Sequence, residues 1–331
     1  MIEAPSPPYV VAGRRTVTFS VVVAVFDAAR MIGDALTSIL EQTRPADEIV
    51  VSDDGSTDDL DGALAPFRDR IRLVRGTNAG PSAARNRAIA AASGDFVVSL
   101  DADDAFLPTR LERLGELAEA RPDLDILATD AYLDAGEPEP RRFNAATPFA
   151  VDDQRSAIMQ RCFVVCPAIR RSRLEALGGF DESLRVGEDW ELIVRLILAG
   201  ATAGLVDEPL YRYRLRPDSL SASRLESLRA RVRLLESVRS HPGLTRAERA
   251  TLEREIESRA RAVLRAEAEV ALGGKRGARR AALKLAAGHA VPPRERLRAV
   301  TWAVAPKAAR SSLLSRRNGL ASSSPWEREQ G

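Results

Sequence analysis

Short apolar runs ending in acidic or turn residues recur along the first part of this chain, with room for one helix between them. Val17 to Phe26 is β-branched and apolar enough for a strand buried on both faces. Glu48 to Ser52 is a second run and stops at DDGSTDD. Ile71 to Arg75, Phe96 to Leu100 and Asp125 to Thr129 follow. Between the first two runs, Ile32, Leu36, Ile39 and Leu40 fall at helical spacing, and Pro45 closes that stretch. Ser56 and Thr57 are candidate caps for a helix toward Phe67. Pro81 suits the first turn of a helix reaching Ala92, Gly94 ends it, and Pro108 opens another. Strands alternating with helices predict an α/β fold with a Rossmann-like, mostly parallel sheet. Such sheets bind ligands beyond the carboxyl ends of their strands. Asp53 and Asp54 lie at one such end, and Asp101, Asp103 and Asp104 at another. Two acidic strand ends in one sheet predict one site.

After about Arg141 the pattern loosens. Arg173 to Leu177 is expected to be helical, with Gly178-Gly179 as its stop, and EDWELIVRLIL (188–198) to be an amphipathic helix. Tyr211-Arg-Tyr-Arg is expected to be a short strand. From Ala222 onward Arg, Ala, Leu and Glu dominate with helical periodicity. The formal net charge of +2 hides an asymmetry: residues 222–331 hold 24 Lys/Arg against 11 Asp/Glu, and residues 1–221 hold 25 against 36. The expected organisation is a flexible arm (1–15), a main α/β domain (16–221), a helical basic region (222–318) and a disordered tail (319–331). Two cysteines, Cys162 and Cys166, and two histidines, His241 and His289, are too few for a Cys/His metal site. No run reaches the roughly 18–20 apolar residues of a membrane span. The start lacks the charged-then-apolar order of a signal peptide. A cytoplasmic location is expected.

The acidic stretch DADD (101–104) admits four readings. An EF-hand loop would need Gly at the sixth position, where Phe106 stands. An aspartyl-phosphate phosphatase shares the Asp-x-Asp after a strand, but the chain's lysines, Lys275, Lys284 and Lys307, all fall in the tail. A solvated acidic turn before a helix is a third, purely structural reading. The fourth is a divalent metal, Mg2+ or Mn2+, held for a nucleotide diphosphate by few hard oxygens, its charge offsetting the clustered carboxylates.

Five stretches now line up in one order: FSVVVAVFDAARMIGDALTSILEQT, EIVVSDDGSTDD, NAGPSAARNRAIAAASGDFVVSLDADD, GGFDESL and GEDWELIVRL. Across about residues 18–220 this order resembles the family 2 glycosyltransferases, inverting enzymes of the GT-A fold. The resemblance implies a GT-A sheet flanked by helices, with a basic α-helical C-terminal extension. It implies that Phe26 lies against the nucleotide base, although the family's Pro-x-Tyr-Asn reads Ala24-Val25-Phe26-Asp27 here. Asp54 would accept from the base imide, with Asp53 supporting it, and Arg85 would face the nucleotide. Asp101 and Asp103 would hold the metal, Asp103 more directly, and Asp104 would contact metal or donor. Asp189 would be the base that deprotonates the acceptor hydroxyl, Glu188 would orient it, and Trp190 either lines the sugar pocket or packs in the core. Where many members carry a His, the matching position is Arg216, which cannot ligate a cation but can pair with a phosphate.

The implied function is transfer of a sugar from a nucleotide-diphosphate sugar, UDP-sugar by default, to a glycan or lipid-linked acceptor. The alternative is a non-catalytic module that binds a nucleotide-sugar or scaffolds a complex. From Gly273 to Arg317 there are 12 Lys/Arg and one acid, Glu295, mixed with apolar residues. This stretch suits an anionic membrane surface or a solvated helical lid. With aromatic residues at 5% and no stacking motif, nucleic acid is not an expected partner.

Overall fold

The structure is a computed structural model, and it describes residues 16–216, 224–273, 278–287 and 291–304. The expected arm, the expected tail and residues 217–221 of the Tyr211–Ser221 segment lie outside these residues. The chain divides into two units, Met1–Leu215 and Arg216–Gly331.

In the first unit, β1 (Phe19–Val25) is apolar without interruption apart from Ser20 and is buried along nearly its whole length, because helices cover both faces of the sheet. Helix α1 (Ile32–Leu40) buries Ile32, Ala35, Leu36 and Ile39, the i, i+3, i+4, i+7 stripe. β2 (Glu48–Asp53), β3 (Arg72–Arg75) and β4 (Phe96–Asp101) complete the parallel half, with α2 (Leu60–Leu64) and α3 (Pro81–Ala91) between them. β5 (Ala105–Phe106), α4 (Arg110–Ala120), β6 (Ile126–Asp134), β7 (Arg141–Arg142), α5 (Phe143–Ala146) and α6 (Gln154–Gln160) follow. Then come β8 (Ala168–Arg170), α7 (Arg171–Leu177), α8 (Glu188–Leu198) and β9 (Ala203–Arg214).

The sheet order is β3-β2-β1-β4-β8-β6-β9-β5, with β7 beside β6. β1, β2, β3 and β4 run parallel, as do β6 and β9, whereas β8 is antiparallel to both its neighbours. Strand order reverses at β1, so the crevice beyond β1 and β4 is the switch point where α/β sheets bind ligands. Register places Asp53 opposite Val25 and Asp101 opposite Ala24, which brings both acidic ends to one edge.

Two expectations change. The helix foreseen from Ser56 is only α2, capped by Asp59, whose carboxylate accepts from the Gly62 amide, and it passes into a 3-10 turn. Tyr211–Arg214 is not a short strand but the end of the twelve-residue β9, whose pairing with β6 is bulged at Asp130.

The second unit comprises α9 (Arg224–Val238), α10 (Arg246–Gly273), α11 (Ala278–Ala287) and α12 (Pro293–Val304). Among the described residues no helix is long and apolar enough to cross a membrane.

Candidate active site

The loop after β1 and the loop after β2 are hydrogen-bonded to each other. Asp27 adopts a left-handed φ of 48°. Its carboxylate accepts from the Thr57 amide at 2.7 Å and hydroxyl at 3.1 Å, while its own amide donates to Ser56 Oγ. The Thr57 amide holds the Asp27 carboxyl below its ordinary range. Asp58 accepts from the Ala29 amide at 2.7 Å. These bonds brace the turn that carries Phe26, whose ring is 46% exposed, unlike the other aromatic residues near this edge. Ser56 and Thr57, taken for helix caps, serve this junction instead. Asp53 accepts from the Ser56 amide at 2.8 Å and lies 3.7 Å from Arg75.

Asp54 is almost fully buried, and its carboxylate accepts from the amides of Ala79 and Gly80, the latter at 2.7 Å. It therefore fixes the turn that launches α3, where Gly80 holds a φ of 101° and Pro81 opens the helix.

Helix α3 joins the site together through three consecutive residues. At about 100° per residue they fan around the helix and reach three different segments. Arg85 donates from Nη1 to Glu188 at 2.8 Å and from Nη2 to Asp101 at 2.7 Å, with Asp189 at 3.8 Å. Asn86 accepts from the Phe180 amide at 2.8 Å and donates to the Phe180 carbonyl and to Glu182, both at 2.9 Å. Arg87 donates to Ser52 Oγ and to the carbonyl of Asp53, and pairs with Asp54 at 3.4 Å. One turn of helix thus holds DADD, GEDW, GGFD and DDG in a single arrangement. Gly179 shows how close this is: at φ 74°, an added Cβ would stand 2.3 Å from Asn86 Oδ1.

Arg85 is itself only 6% exposed and stacks over Phe180, its centre 5.4 Å from the ring. Burial opposes its charge, but Asp101, Asp189 and Glu188 outweigh burial and raise its pKa well above the ordinary value. The resemblance placed this guanidinium toward the nucleotide; here it lies between the metal-motif and base-motif carboxylates.

α8 begins at Gly187, φ 83°, and carries Glu188, Asp189 and Glu191 in its first turn, where the helix dipole favours anions. Glu188 is buried against Arg85, whereas the Asp189 side chain is 57% exposed. Desolvation by the surrounding protein pushes the Asp189 carboxyl up to about 7; Arg85 opposes this, and Glu188 and Asp101 reinforce it. Water reaches that exposed carboxylate, so the rise is smaller than full burial would produce.

Trp190 is 6% exposed, and its indole N–H donates to the Ile158 carbonyl at 2.6 Å, so it packs α8 against α6. Asp104, at 2% exposure, accepts from the Tyr211 hydroxyl at 2.6 Å and the Arg214 amide at 2.8 Å, so both its oxygens are engaged by β9. Burial, with the Asp101 carboxylate, pushes its carboxyl up to about 8. Arg214 also donates to the Asp103 carbonyl at 3.2 Å and to Asp34 at 3.3 Å. Arg110, fully buried, stacks on Phe106 and Tyr211 and donates to the Cys166 carbonyl. Asn86, Arg87, Tyr211 and Arg214 were not foreseen as site residues. Asn86 and Arg87 sit in the same ARNR stretch as Arg85, the one signal that pointed to them. Arg216 opens the second unit.

The residues present fit a divalent cation that brings its other ligands along. Asp101 and Asp103 are both part-exposed at the end of β4 and offer hard carboxylate oxygens. Among the described residues no group of three or more His, Cys, Asp or Glu is placed to hold a metal ion, so further ligands would be phosphate and water oxygens.

The sequence model of Glycosyl transferase family 2 matches residues 20–178. Succinoglycan biosynthesis protein ExoU of Rhizobium meliloti (strain 1021) is 34% identical over 223 residues, 61% of this chain and 64% of that protein. The match thus spans a little under two thirds of that relative's length. In fold the chain is similar to S. aureus TarS 1-349 in complex with UDP-GlcNAc, with a TM-score of 0.61 and 20% identity over 91% of this chain and 92% of that one. It is similar also to mannosyltransferase PcManGT from Pyrobaculum calidifontis in complex with GDP-Man and Mn2+, with a TM-score of 0.61 and 21% identity over 98% and 84%. The sheet that gathers these carboxylates is accordingly a GT-A fold, and residues 20–178 within it match glycosyl transferase family 2.

Proposed function

We propose that the protein is an inverting glycosyltransferase that moves a sugar from a nucleotide-diphosphate sugar to a hydroxyl acceptor. The observation that carries this reading is the Arg85 bridge, which sets the strand-end carboxylates beside the α8 N-terminus. Phe26 stacks on the nucleotide base from the braced turn after β1, and the Asp53–Asp54 turn closes that end. Asp101 and Asp103 would hold Mg2+ or Mn2+, which when bound would offset the charge of the departing diphosphate. Asp189 takes the acceptor hydroxyl's proton as that oxygen bonds to the anomeric carbon. The bond from that carbon to the diphosphate breaks on the opposite side, its electron pair leaving with the nucleotide. Glu188, fixed by Arg85, holds the helix start that aims Asp189. Arg216 pairs with the diphosphate.

UDP-sugar is the first donor to test, by resemblance. A relative named for succinoglycan biosynthesis supports a glycan as acceptor, and a lipid-linked envelope precursor is the acceptor the resemblance adds. For such a precursor the basic C-terminal helices are the part suited to meet a bilayer. The test is calorimetric titration with nucleoside diphosphates, with and without Mn2+, for the native chain and Asp103→Asn. Binding of one base that needs both the metal and Asp103 supports the reading. Absence of binding by a folded chain refutes it.

A further inference from the structure

The second unit packs Leu285 of α11 and Ala299, Trp302 and Ala303 of α12 into a core of its own. Other faces of the same helices carry apolar side chains outward. Leu297, Val300 and Val304 lie at i, i+3 and i+7 on α12 with 69%, 44% and 74% exposure. On α11, Leu283 is 56% exposed and stands between the exposed Arg280 and Lys284. Val270, near the end of α10, is exposed as well. Five of the seven exposed large hydrophobics among the described residues therefore fall between 270 and 304. Scattered apolar residues need no explanation, but a stripe of them does.

The charge beside the stripe has one sign. Arg280, Lys284, Arg294 and Arg298 are exposed, and Glu295, the one acid from Gly273 to Arg317, is paired with Arg265. Apolar side chains flanked by basic ones, on helices too short and too charged to span a bilayer, match an interfacial helix. We propose that the exposed face of α11 and α12 docks in the plane of an anionic membrane surface, with Leu297, Val300 and Val304 entering the acyl boundary and the basic residues meeting lipid phosphates.

Charge argues against other occupants. A second copy joined through this same face would bring like charges together. Residues 305–317 carry Lys307, Arg310, Arg316 and Arg317 with no acid, so they would be repelled as well. Nucleic acid would leave the stripe in water, and Trp302, which could stack on a base, is only 6% exposed.

The test is flotation of the full chain with vesicles of phosphatidylcholine alone or mixed with phosphatidylglycerol. The native chain is expected to float only with the anionic vesicles. The triple variant Arg280→Ala/Lys284→Ala/Arg294→Ala should lose roughly fivefold in partitioning per residue, about a hundredfold in all. Leu297→Ser/Val300→Ser/Val304→Ser should abolish the fraction that stays bound in high salt. Native-like flotation by either variant overturns the proposal. So does preference for an RNA homopolymer over vesicles, or self-association that the serine triple abolishes without any lipid binding. Nucleoside diphosphate titration of both variants separates the two readings: unchanged nucleotide binding with lost flotation supports docking, whereas failure of nucleotide binding in the native chain bears on the transferase reading alone.

Discussion

Arg85 couples the two acidic motifs more directly than any other residue described. Buried, it bridges Asp101 and Glu188 through separate nitrogens of one planar fork. A neutral replacement leaves the buried Glu188 carboxylate without its partner and beside that of part-exposed Asp101, so Arg85→Gln should lower stability by about 3 kcal/mol, read from denaturant unfolding. Arg85→Lys keeps the charge but cannot hold both partners in one geometry. It should remain folded while kcat falls by about tenfold to a hundredfold, corresponding to about 1.4–2.7 kcal/mol of lost positioning. The pH profile gives a further sign. A general base works only when deprotonated, so kcat/KM should rise with pH through an acid limb at or below about 7. Glu188 raises the Asp189 pKa and Arg85 lowers it. Glu188→Gln should therefore move the limb to lower pH and Arg85→Gln to higher pH; limbs that stay in place would separate Asp189 from the titration.

Helix α3 is the element on which the site depends. Asn86 binds both backbone groups of Phe180, while Gly179 leaves no room for a side chain beneath it. Asn86→Ala should cost about 1–3 kcal/mol by leaving those groups unpaired. Gly179→Ala should cost more, because a left-handed φ and a clash act together. In the double variant the clash is gone and only the φ term of the Gly179→Ala cost, about 1 kcal/mol, remains beside the Asn86→Ala cost, so the two costs should fail to add in a double-mutant cycle. Much of this frame was legible in the sequence. β1, β2 and β4 are largely apolar runs bounded by turns, and the acidic ends of β2 and β4 fall at one sheet edge by that pattern alone. β8 was not legible because it is three residues long. Most of β9 was missed because Gly204, Asp207, Glu208 and Pro209 read as breakers, whereas a bulge against β6 accommodates them. Glu188 lies 103 residues from Arg85 and Phe180 lies 94 residues from Asn86, pairings that local pattern does not encode. Trp190 reads equally as pocket or core because an indole suits both; in the fold it is buried, with its N–H on the Ile158 carbonyl.

At the scale of the whole molecule the two units have separate cores, one around the sheet and one around Leu285 and Trp302. Calorimetric unfolding is expected to show two transitions, and a nucleoside diphosphate with Mn2+ should raise only the transition of the first unit. A single transition that shifts as a whole would contradict this. The central claim concerns the first unit: donor carboxylates and base belong to one site that transfers a sugar. The most direct measurement compares donor binding and single-turnover transfer in the native chain and Asp189→Asn, with the anomer of the product read by NMR. Nucleotide affinity should be unchanged, the native chain should give an inverted anomer, and transfer should slow by about 10²–10⁴-fold in the variant. Native-rate transfer by Asp189→Asn, or a retained anomer, would contradict it.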